Sequence, residues 1–188
     1  RLSRVGGDHA QNLAGDGMTK SAFRVLVLCT GNSARSQIGE ALLAVRGAAR
    51  TAGRVEAESA GSRPAARVNP YAVEVLASEG IAWEGRVPKT IDEVAGQHFD
   101  LVITVCDNAR DACPFFPGAK AQVHWGLPDP ADETTPEAAR RAFRATFEAL
   151  SRRVDELLAL PLESMSDEDR TVSATQIHSA ACESEGIS

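Results

Sequence analysis

A short apolar run followed by eight small and polar residues constrains this chain more than any other feature. Five apolar residues between positions 23 and 28 are typical of a buried strand, and the apolar pattern over 37–45 is typical of a helix. The residues between them are Cys-Thr-Gly-Asn-Ser-Ala-Arg-Ser, at positions 29–36. The sequence therefore predicts that Cys29 lies where a strand ends and a helix begins.

The loop at 29–36 has the composition of an anion-binding site. A strand-to-helix turn points successive backbone N–H groups into one concavity, and the helix N-terminus adds positive potential. This concavity suits a tetrahedral oxyanion, over which Arg35 can close with a two-pronged guanidinium contact. The same positive field predicts a lowered pKa for Cys29, which would make it a thiolate nucleophile. The predicted anion-binding residues are Thr30, Gly31, Asn32, Ser33, Ala34, Arg35 and Ser36.

A buried structural thiol is the alternative interpretation of Cys29, because free cysteine is often buried. The clustering of glycine, asparagine, serine and arginine within one turn of Cys29 favours the anion site. Asn32, Ser33 and Ser36 are expected to hold the shape of the loop through local hydrogen bonds. Ser36 can also donate a hydrogen bond to the Cys29 thiolate.

The composition excludes several classes of function. Twenty basic and 26 acidic residues give the 188-residue chain a net charge of −6, which argues against nucleic acid as a partner. The chain is long enough for one domain with a sizeable core. Its four cysteines, without a secretory signal or a long apolar run, predict a cytoplasmic protein with no membrane partner. Cysteines in that compartment are more often catalytic than structural.

Predicted strands alternate with predicted helices, which indicates an α/β fold with a four-stranded parallel sheet flanked by helices. The strands after the first are predicted at 55–59, 99–105 and 121–125. The helices after the first are predicted to begin at Asn69-Pro70, at a Thr90–Glu93 capping box and at Thr135-Pro136. Ligands of such sheets bind beyond the carboxyl ends of the strands, so Cys29, Cys106 and Asp129 are expected to converge at one edge.

The two ends of the chain lack the apolar periodicity of the middle. Residues 1–20 are predicted to be a disordered leader or a non-native remnant, and residues 21–160 form the predicted domain. Residues 161–188 are rich in serine and acidic residues, and a flexible tail is predicted there. Cys182 lies in this predicted tail and has no expected role.

Three motifs follow one another along the predicted domain, at 29–37, 102–114 and 124–131. The first, Cys-x5-Arg-Ser between a strand and a helix, resembles the phosphate loop of low-molecular-weight protein tyrosine phosphatases. Its fuller form, Cys-Thr-Gly-Asn-Ser-x-Arg-Ser-Gln, is more similar to the thioredoxin-coupled arsenate reductases of that family. The resemblance covers 23–160 and implies the low-molecular-weight phosphatase fold.

The resemblance implies a thiol relay that reduces arsenate to arsenite, as in arsenic detoxification. Cys29 attacks arsenic, Cys106 attacks Cys29 as arsenite leaves, and Cys113 then attacks Cys106 to move the disulfide outward. Thioredoxin or another external thiol donor would reduce that disulfide. Asp129 matches the acid that protonates the leaving oxygen in the phosphatases. Phosphate and sulfate are expected to compete with arsenate, and the protein is expected to be a monomer.

Positions matching Asn32, Glu40 and Ser59 help to bind potassium in some relatives. In those relatives a further stretch of chain supplies a hydroxyl and a carboxylate to the ion. The matching stretch here, Val87-Pro88-Lys89, has neither group. We therefore predict no metal ion, and the resemblance implies no other cofactor. The Lys89 ammonium could take the electrostatic role of the ion.

Alternatives remain open. Cys106 and Cys113 could bind zinc with His124, although the spacing matches no common zinc pattern, or they could be inert loop thiols. For the whole chain, the first alternative is a low-molecular-weight protein tyrosine phosphatase that hydrolyses phosphomonoesters, and the second is an oxyanion or arsenic sensor. The cysteine pair has no role in hydrolysis, and the single tyrosine, Tyr71, offers little to grip a phenyl ring.

Overall fold

A computed structural model describes residues 21–51, 54–106 and 115–186, and these residues contain a four-stranded parallel sheet. The strands are β1 (Phe23–Cys29), β2 (Val55–Gly61), β3 (Phe99–Thr104) and β4 (Ala119–His124), in the order β2-β1-β3-β4. The helices are α1 (Arg35–Arg50), α2 (Pro70–Ser78), α3 (Pro136–Ala159) and α4 (Asp167–Glu185). The predicted fold class is confirmed. No helix in the described part of the chain is long and apolar enough to span a membrane.

The register of the sheet brings the carboxyl ends of the strands into one row. Cys29 pairs with Gly61 on one side of β1, and Leu28 pairs with Thr104 on the other. Thr104 in turn pairs with His124 at the end of β4. The loops that follow these positions therefore leave the sheet side by side, as the sequence predicted.

Strand β1 is buried on both faces from Val25 onward, which is why its sequence is continuously apolar there. Two clusters of buried apolar residues lie on the two faces of this strand. Val25 and Val27 belong to the larger cluster, which also contains the inward-facing residues of the helices. Leu26 and Leu28 pack into a smaller cluster on the opposite face, with Val94, Phe99, Val102 and Phe116. The central strand thus fixes the base of the 29–36 loop from both sides.

The helix predicted at Thr90–Glu93 is wrong. The reciprocal bonds of a capping box do form, since the Glu93 N–H donates to Thr90 Oγ1 (3.2 Å) and the Thr90 N–H to Glu93 Oε2 (2.6 Å). The segment nevertheless continues as turns, and Thr90 forms a bridge with Gly61. Only five residues separate Glu93 from β3, which is too short a distance for a stable helix before the strand must start.

The flexible tail predicted over 161–188 is also wrong where the structure describes it, because α4 occupies most of it. Ser166 caps this helix by accepting from the Asp169 N–H (3.1 Å), and three acidic residues in its first turn favour the helix dipole. Its buried side, formed by Arg170, Ala174, Ile177 and Ala181, packs against β4 and α3. The expectation for residues 1–20 lies outside the described residues.

Candidate active site

The loop at 29–36 joins β1 to α1 and is held by the segment that follows β2. The carbonyls of Cys29, Thr30, Gly31 and Ser33 accept from the backbone N–H groups of Ser62, Arg63, Ala65 and Asn69, at 3.3, 2.9, 2.8 and 2.8 Å respectively. Four backbone bonds along five residues fix the path of the loop without using its side chains.

Two backbone features make this loop possible. Asn32 has a φ of 45°, in the left-handed region that asparagine tolerates better than most residues. Gly61 lies so close to the loop that a Cβ there would be 2.5 Å from Thr30 O and 2.9 Å from Asn32 N. The turn therefore depends on a residue of β2 as much as on its own sequence.

The Cys29 thiol is buried within the loop, with 3% of the residue exposed. Its Sγ lies 3.0 Å from Ser36 Oγ and accepts from the Asn32 N–H at 3.2 Å. Burial raises the pKa of Cys29, while hydrogen bonding to Ser36 and the charge of Arg35 oppose that rise. The predicted lowering of this pKa is therefore wrong for the described structure, because the cost of burying a thiolate exceeds the stabilisation by these two residues.

The Asn32 side chain lies at the centre of a buried hydrogen-bond network. Its Nδ2 donates to Ser36 Oγ (2.9 Å) and to Ser59 Oγ (2.8 Å). Its Oδ1 accepts from the Lys89 backbone N–H (2.7 Å) and from Gln37 Nε2 (3.3 Å). Asn32 and Ser36 thus make the local bonds that the sequence led us to expect, whereas Ser33 contributes its backbone carbonyl to Asn69.

Arg35 reaches from the start of α1 to the loop after β4. One terminal nitrogen donates to the Leu127 carbonyl at 2.8 Å, and the other forms an ion pair with the Asp129 carboxylate. The Arg35 side chain is 8% exposed, and its Nε has no hydrogen-bond partner among the described residues. Arg35 and Asp129 are therefore adjacent, and the buried Nε–H of Arg35 is not used by either contact.

Cys106 lies two residues after the end of β3. The residue is buried, and its Sγ is 3.4 Å from Thr30 Oγ1, which belongs to the 29–36 loop. Cys106 is among the lesser causes that raise the pKa of Cys29, after burial, so the two sulfurs lie within electrostatic reach of each other. Cys113 lies outside the described residues.

The residues matched to a potassium site converge beside this loop. Ser59 Oγ donates to Glu40 Oε2 at 2.5 Å, and burial raises the pKa of Glu40. Lys89 Nζ pairs with Glu58 at 2.9 Å, and its charge opposes the rise in the Glu40 pKa. No group of three or more histidine, cysteine or acidic residues in the described ranges could hold a metal ion.

Gln37 and Trp83 belong to the hydrogen-bond network around Asn32, but the sequence did not predict them as site residues. The Trp83 indole N–H donates to Gln37 Oε1 at 2.8 Å, which links the chain after α2 to the loop. Nothing in the sequence pairs positions 37 and 83, because the contact joins a helix to an irregular segment. The two residues after β3 and β4 that sequence analysis did select, Cys106 and Asp129, are both brought to the loop.

Comparison with known proteins extends this picture. An arsenate reductase of Halalkalibacterium halodurans is 38% identical over 131 residues, which cover 69% of this chain and 91% of the relative. A solved arsenate reductase in its phosphate-binding state aligns with a TM-score of 0.61 and 26% identity, covering 73% of this chain and 97% of the other. A thioredoxin-dependent arsenate reductase of Corynebacterium glutamicum aligns with a TM-score of 0.50 and 28% identity. The alignment covers 73% of this chain and 64% of the other.

The sequence model of the low molecular weight phosphotyrosine protein phosphatase family matches residues 24–171 of this chain. That range contains the loop at 29–36, the thiol of Cys106 and the Arg35–Asp129 pair. Because the match spans the sheet and the residues at its carboxyl edge, the chain belongs to the low-molecular-weight phosphotyrosine protein phosphatase family.

Proposed function

We propose that this chain is an arsenate reductase that uses Cys29, Cys106 and Cys113 as a thiol relay. The observation that carries the proposal is the second buried thiol, since Cys106 Sγ lies 3.4 Å from Thr30 of the anion loop. Ester hydrolysis needs one nucleophile and has no role for a second thiol beside it. The arsenate reductase names of the relatives support the same conclusion.

Arsenate binds first, as phosphate and sulfate would in competition with it. The loop N–H groups and the Arg35 guanidinium hold its oxygens. Cys29 sulfur attacks arsenic(V), an As–S bond forms, and one As–O bond breaks. The Cys29 thiol gives up its proton as it attacks, and Asp129 passes a proton to the departing oxygen, which leaves as water. Arsenic is not yet reduced at this step.

Reduction occurs when the second thiol reacts. Cys106 thiolate attacks the Cys29 sulfur, the S–S bond forms, and the electron pair of the As–S bond passes to arsenic. Arsenic(V) becomes arsenic(III) and leaves as arsenite, while two thiols have been oxidised to one disulfide. Cys113 then attacks Cys106, and Cys29 is released as a thiol.

An external dithiol must reduce the Cys106–Cys113 disulfide to complete the cycle. Thioredoxin is the donor we propose, which the thioredoxin-dependent Corynebacterium relative supports. A chain that depends on this donor belongs in the cytoplasm, where thiols are kept reduced. We also propose a monomer, since the chemistry needs thiols of one chain only.

Coupled turnover tests this function. Arsenate is added to the protein with NADPH, thioredoxin reductase and thioredoxin, and NADPH oxidation is followed, with a glutaredoxin or mycothiol system as the alternative donor. We expect arsenate-dependent oxidation with thioredoxin. No arsenite from any of the three donor systems would contradict the proposal.

A phosphatase is the second candidate, because Arg35 and Asp129 lie next to each other at the loop, and ester hydrolysis needs a guanidinium for the phosphate and an acid for the leaving oxygen. Cys106→Ser separates the two functions. We expect this variant to lose arsenate reduction while keeping whatever hydrolysis of p-nitrophenyl phosphate the wild type shows. If wild type hydrolyses the ester efficiently and never yields arsenite, the phosphatase is the correct assignment.

A further inference from the structure

The direction of the hydrogen bonds around Cys29 can be deduced from the chemistry of the groups. Ser36 Oγ accepts from Asn32 Nδ2 at 2.9 Å and lies 3.0 Å from Cys29 Sγ. A hydroxyl has one proton to donate, and when Cys29 is a thiolate the sulfur can only accept, so the Ser36 proton then points at the sulfur. A hydroxyl that donates to sulfur stabilises the thiolate over the thiol.

This arrangement holds only for one orientation of the Asn32 amide. If Oδ1 and Nδ2 were exchanged, the oxygen would face Ser36, and the Ser36 proton would be drawn to the amide instead of the sulfur. The Lys89 backbone N–H, which can only donate, is 2.7 Å from Oδ1 and opposes the exchange. Gln37 Nε2, at 3.3 Å, opposes it as well.

Gln37, however, is itself an amide with a donor end and an acceptor end. Its orientation is set by the Trp83 indole N–H, which can only donate and lies 2.8 Å from Gln37 Oε1. Gln37 is 1% exposed and Trp83 4% exposed, so bulk solvent does not reach the bond between them.

The opposite end of the network is fixed by an acceptor. Ser59 Oγ donates to Glu40 Oε2 at 2.5 Å, so its lone pair is what faces Asn32 Nδ2. The network is therefore bounded by Trp83 and the Lys89 backbone as donors and by the Glu40 carboxylate as acceptor. The Cys29 sulfur is the nucleophilic group whose protonation this network affects, through Ser36.

We propose that Trp83 is a positioning residue whose indole N–H orients Gln37 and, through Gln37 and Asn32, aims the Ser36 hydroxyl at the Cys29 sulfur. The inference rests on the proposed use of Cys29 as a nucleophile, but not on which oxyanion it attacks. Hydrogen bonding to Ser36 is the first of the influences that lower the pKa of Cys29 against the burial that raises it. Loss of its orientation should therefore raise that pKa further.

The two tryptophans of this chain provide a matched experiment. Trp83→Phe keeps a buried ring and removes the N–H. Trp125→Phe does the same elsewhere, since Trp125 is 1% exposed and its indole donates to the Ala174 carbonyl of α4 at 2.9 Å. The measurement is the pH dependence of Cys29 alkylation by iodoacetamide, resolved from the other cysteines by peptide mass spectrometry.

We expect Trp83→Phe to raise the apparent pKa of Cys29 by about half to one unit, which slows alkylation about three- to tenfold at a fixed pH below that pKa. Trp125→Phe should lower the melting temperature without shifting the alkylation profile. A profile of Trp83→Phe that superimposes on wild type would overturn the inference, as would an equal shift in both variants.

Gln37→Met provides a second route if Trp83→Phe does not fold. It removes the amide that transmits the orientation while keeping a side chain of similar length, and it should give the same shift in the Cys29 profile. An unshifted profile overturns the inference. Because alkylation requires no arsenate, a protein that fails to reduce arsenate would refute the proposed function and leave this test intact.

Discussion

At the scale of single residues, Arg35 performs a task that charge alone does not explain. Its guanidinium contacts the Leu127 carbonyl and the Asp129 carboxylate through separate nitrogens, and its Nε is left without a partner among the described residues. Three nitrogens that point in different directions are a property of arginine and not of lysine. The side chain can therefore hold the Asp129 loop and contact an oxyanion at once.

Arg35→Lys should consequently disable the enzyme although the charge is kept. We expect kcat/KM for arsenate to fall by about a hundredfold or more, since an ammonium can replace at most part of these contacts. Steady-state kinetics with arsenate measure the loss, and a melting curve shows whether the fold is retained. Unchanged kinetics in a folded variant would mean that Arg35 does not hold the anion.

Lys89 provides a second prediction at this scale. Its ammonium pairs with Glu58 at 2.9 Å and opposes the rise in the Glu40 pKa, so a positive charge is already supplied where some relatives bind potassium. We expect arsenate turnover and melting temperature to be the same in potassium and sodium salts at equal ionic strength. A large gain specific to potassium in either quantity would contradict this expectation.

The residue scale also shows where sequence analysis reaches its limit. The composition of the 29–36 loop predicted a turn between a strand and a helix with local hydrogen bonds from Asn32 and Ser36, and the structure contains both, whereas the oxyanion that the loop would bind stays a prediction. It gave the wrong direction for the Cys29 pKa, because a sequence displays neighbouring charges but not the depth at which a thiol is buried. Trp83 was not predicted for a similar reason, because its hydrogen-bond partner Gln37 lies in another element, α1.

At the scale of elements, α4 is the part of the fold that sequence analysis missed. Its buried stripe has helical spacing at 170, 174, 177 and 181, but Ile177 is the one large apolar residue in it. Buried polar contacts replace the missing apolar area. Arg153, fully buried in α3, donates to His178 Nδ1 (3.1 Å), to Glu185 (2.9 and 3.1 Å) and to the Cys182 sulfur (3.7 Å).

This junction predicts acid sensitivity. Burial and the charge of Arg153 lower the pKa of His178 to about 4, with His124 adding to the effect and Glu185 opposing it. The unfolded chain therefore binds more protons than the native one as pH falls from the ordinary histidine value toward 4, and native stability decreases over that window. Protonation would also place an N–H of His178 against the guanidinium that now donates to it.

His178→Gln tests this origin of the acid sensitivity. Glutamine can accept from Arg153 and does not titrate, so we expect the melting temperature of the variant to fall less than that of wild type between pH 6.5 and pH 4.5. Thermal unfolding followed by circular dichroism at several pH values gives both slopes. Parallel slopes would show that other groups, and not His178, set the response.

At the scale of the whole molecule, the sheet was the most predictable part. Strands β1 and β3 are buried on both faces over most of their length, and the apolar runs at 25–28 and 101–103 are visible in the sequence. Their parallel arrangement then requires Cys29 and Cys106 to emerge at one edge, which the structure shows. The packing between α3, α4 and β4 could not be predicted, because it depends on Arg153 and Trp125 bonds between distant segments.

We propose that three thiols of one chain act in order to pass two electrons to arsenate. Cys113→Ser tests it most directly, because the variant keeps the two thiols needed to release arsenite and lacks the one that moves the disulfide outward. The protein is reduced, treated with arsenate, alkylated and mapped by peptide mass spectrometry. Cys182→Ser serves as the control, since that thiol lies half-buried beside Arg153 and His178.

We predict that Cys113→Ser releases a single arsenite per molecule and stops with a Cys29–Cys106 disulfide. Wild type and Cys182→Ser, treated with arsenate in the absence of a reductant, should both contain Cys106–Cys113. Repeated turnover of Cys113→Ser with thioredoxin at the wild-type rate would contradict the three-thiol relay, and so would a map of the stalled variant in which Cys29 remains a free thiol.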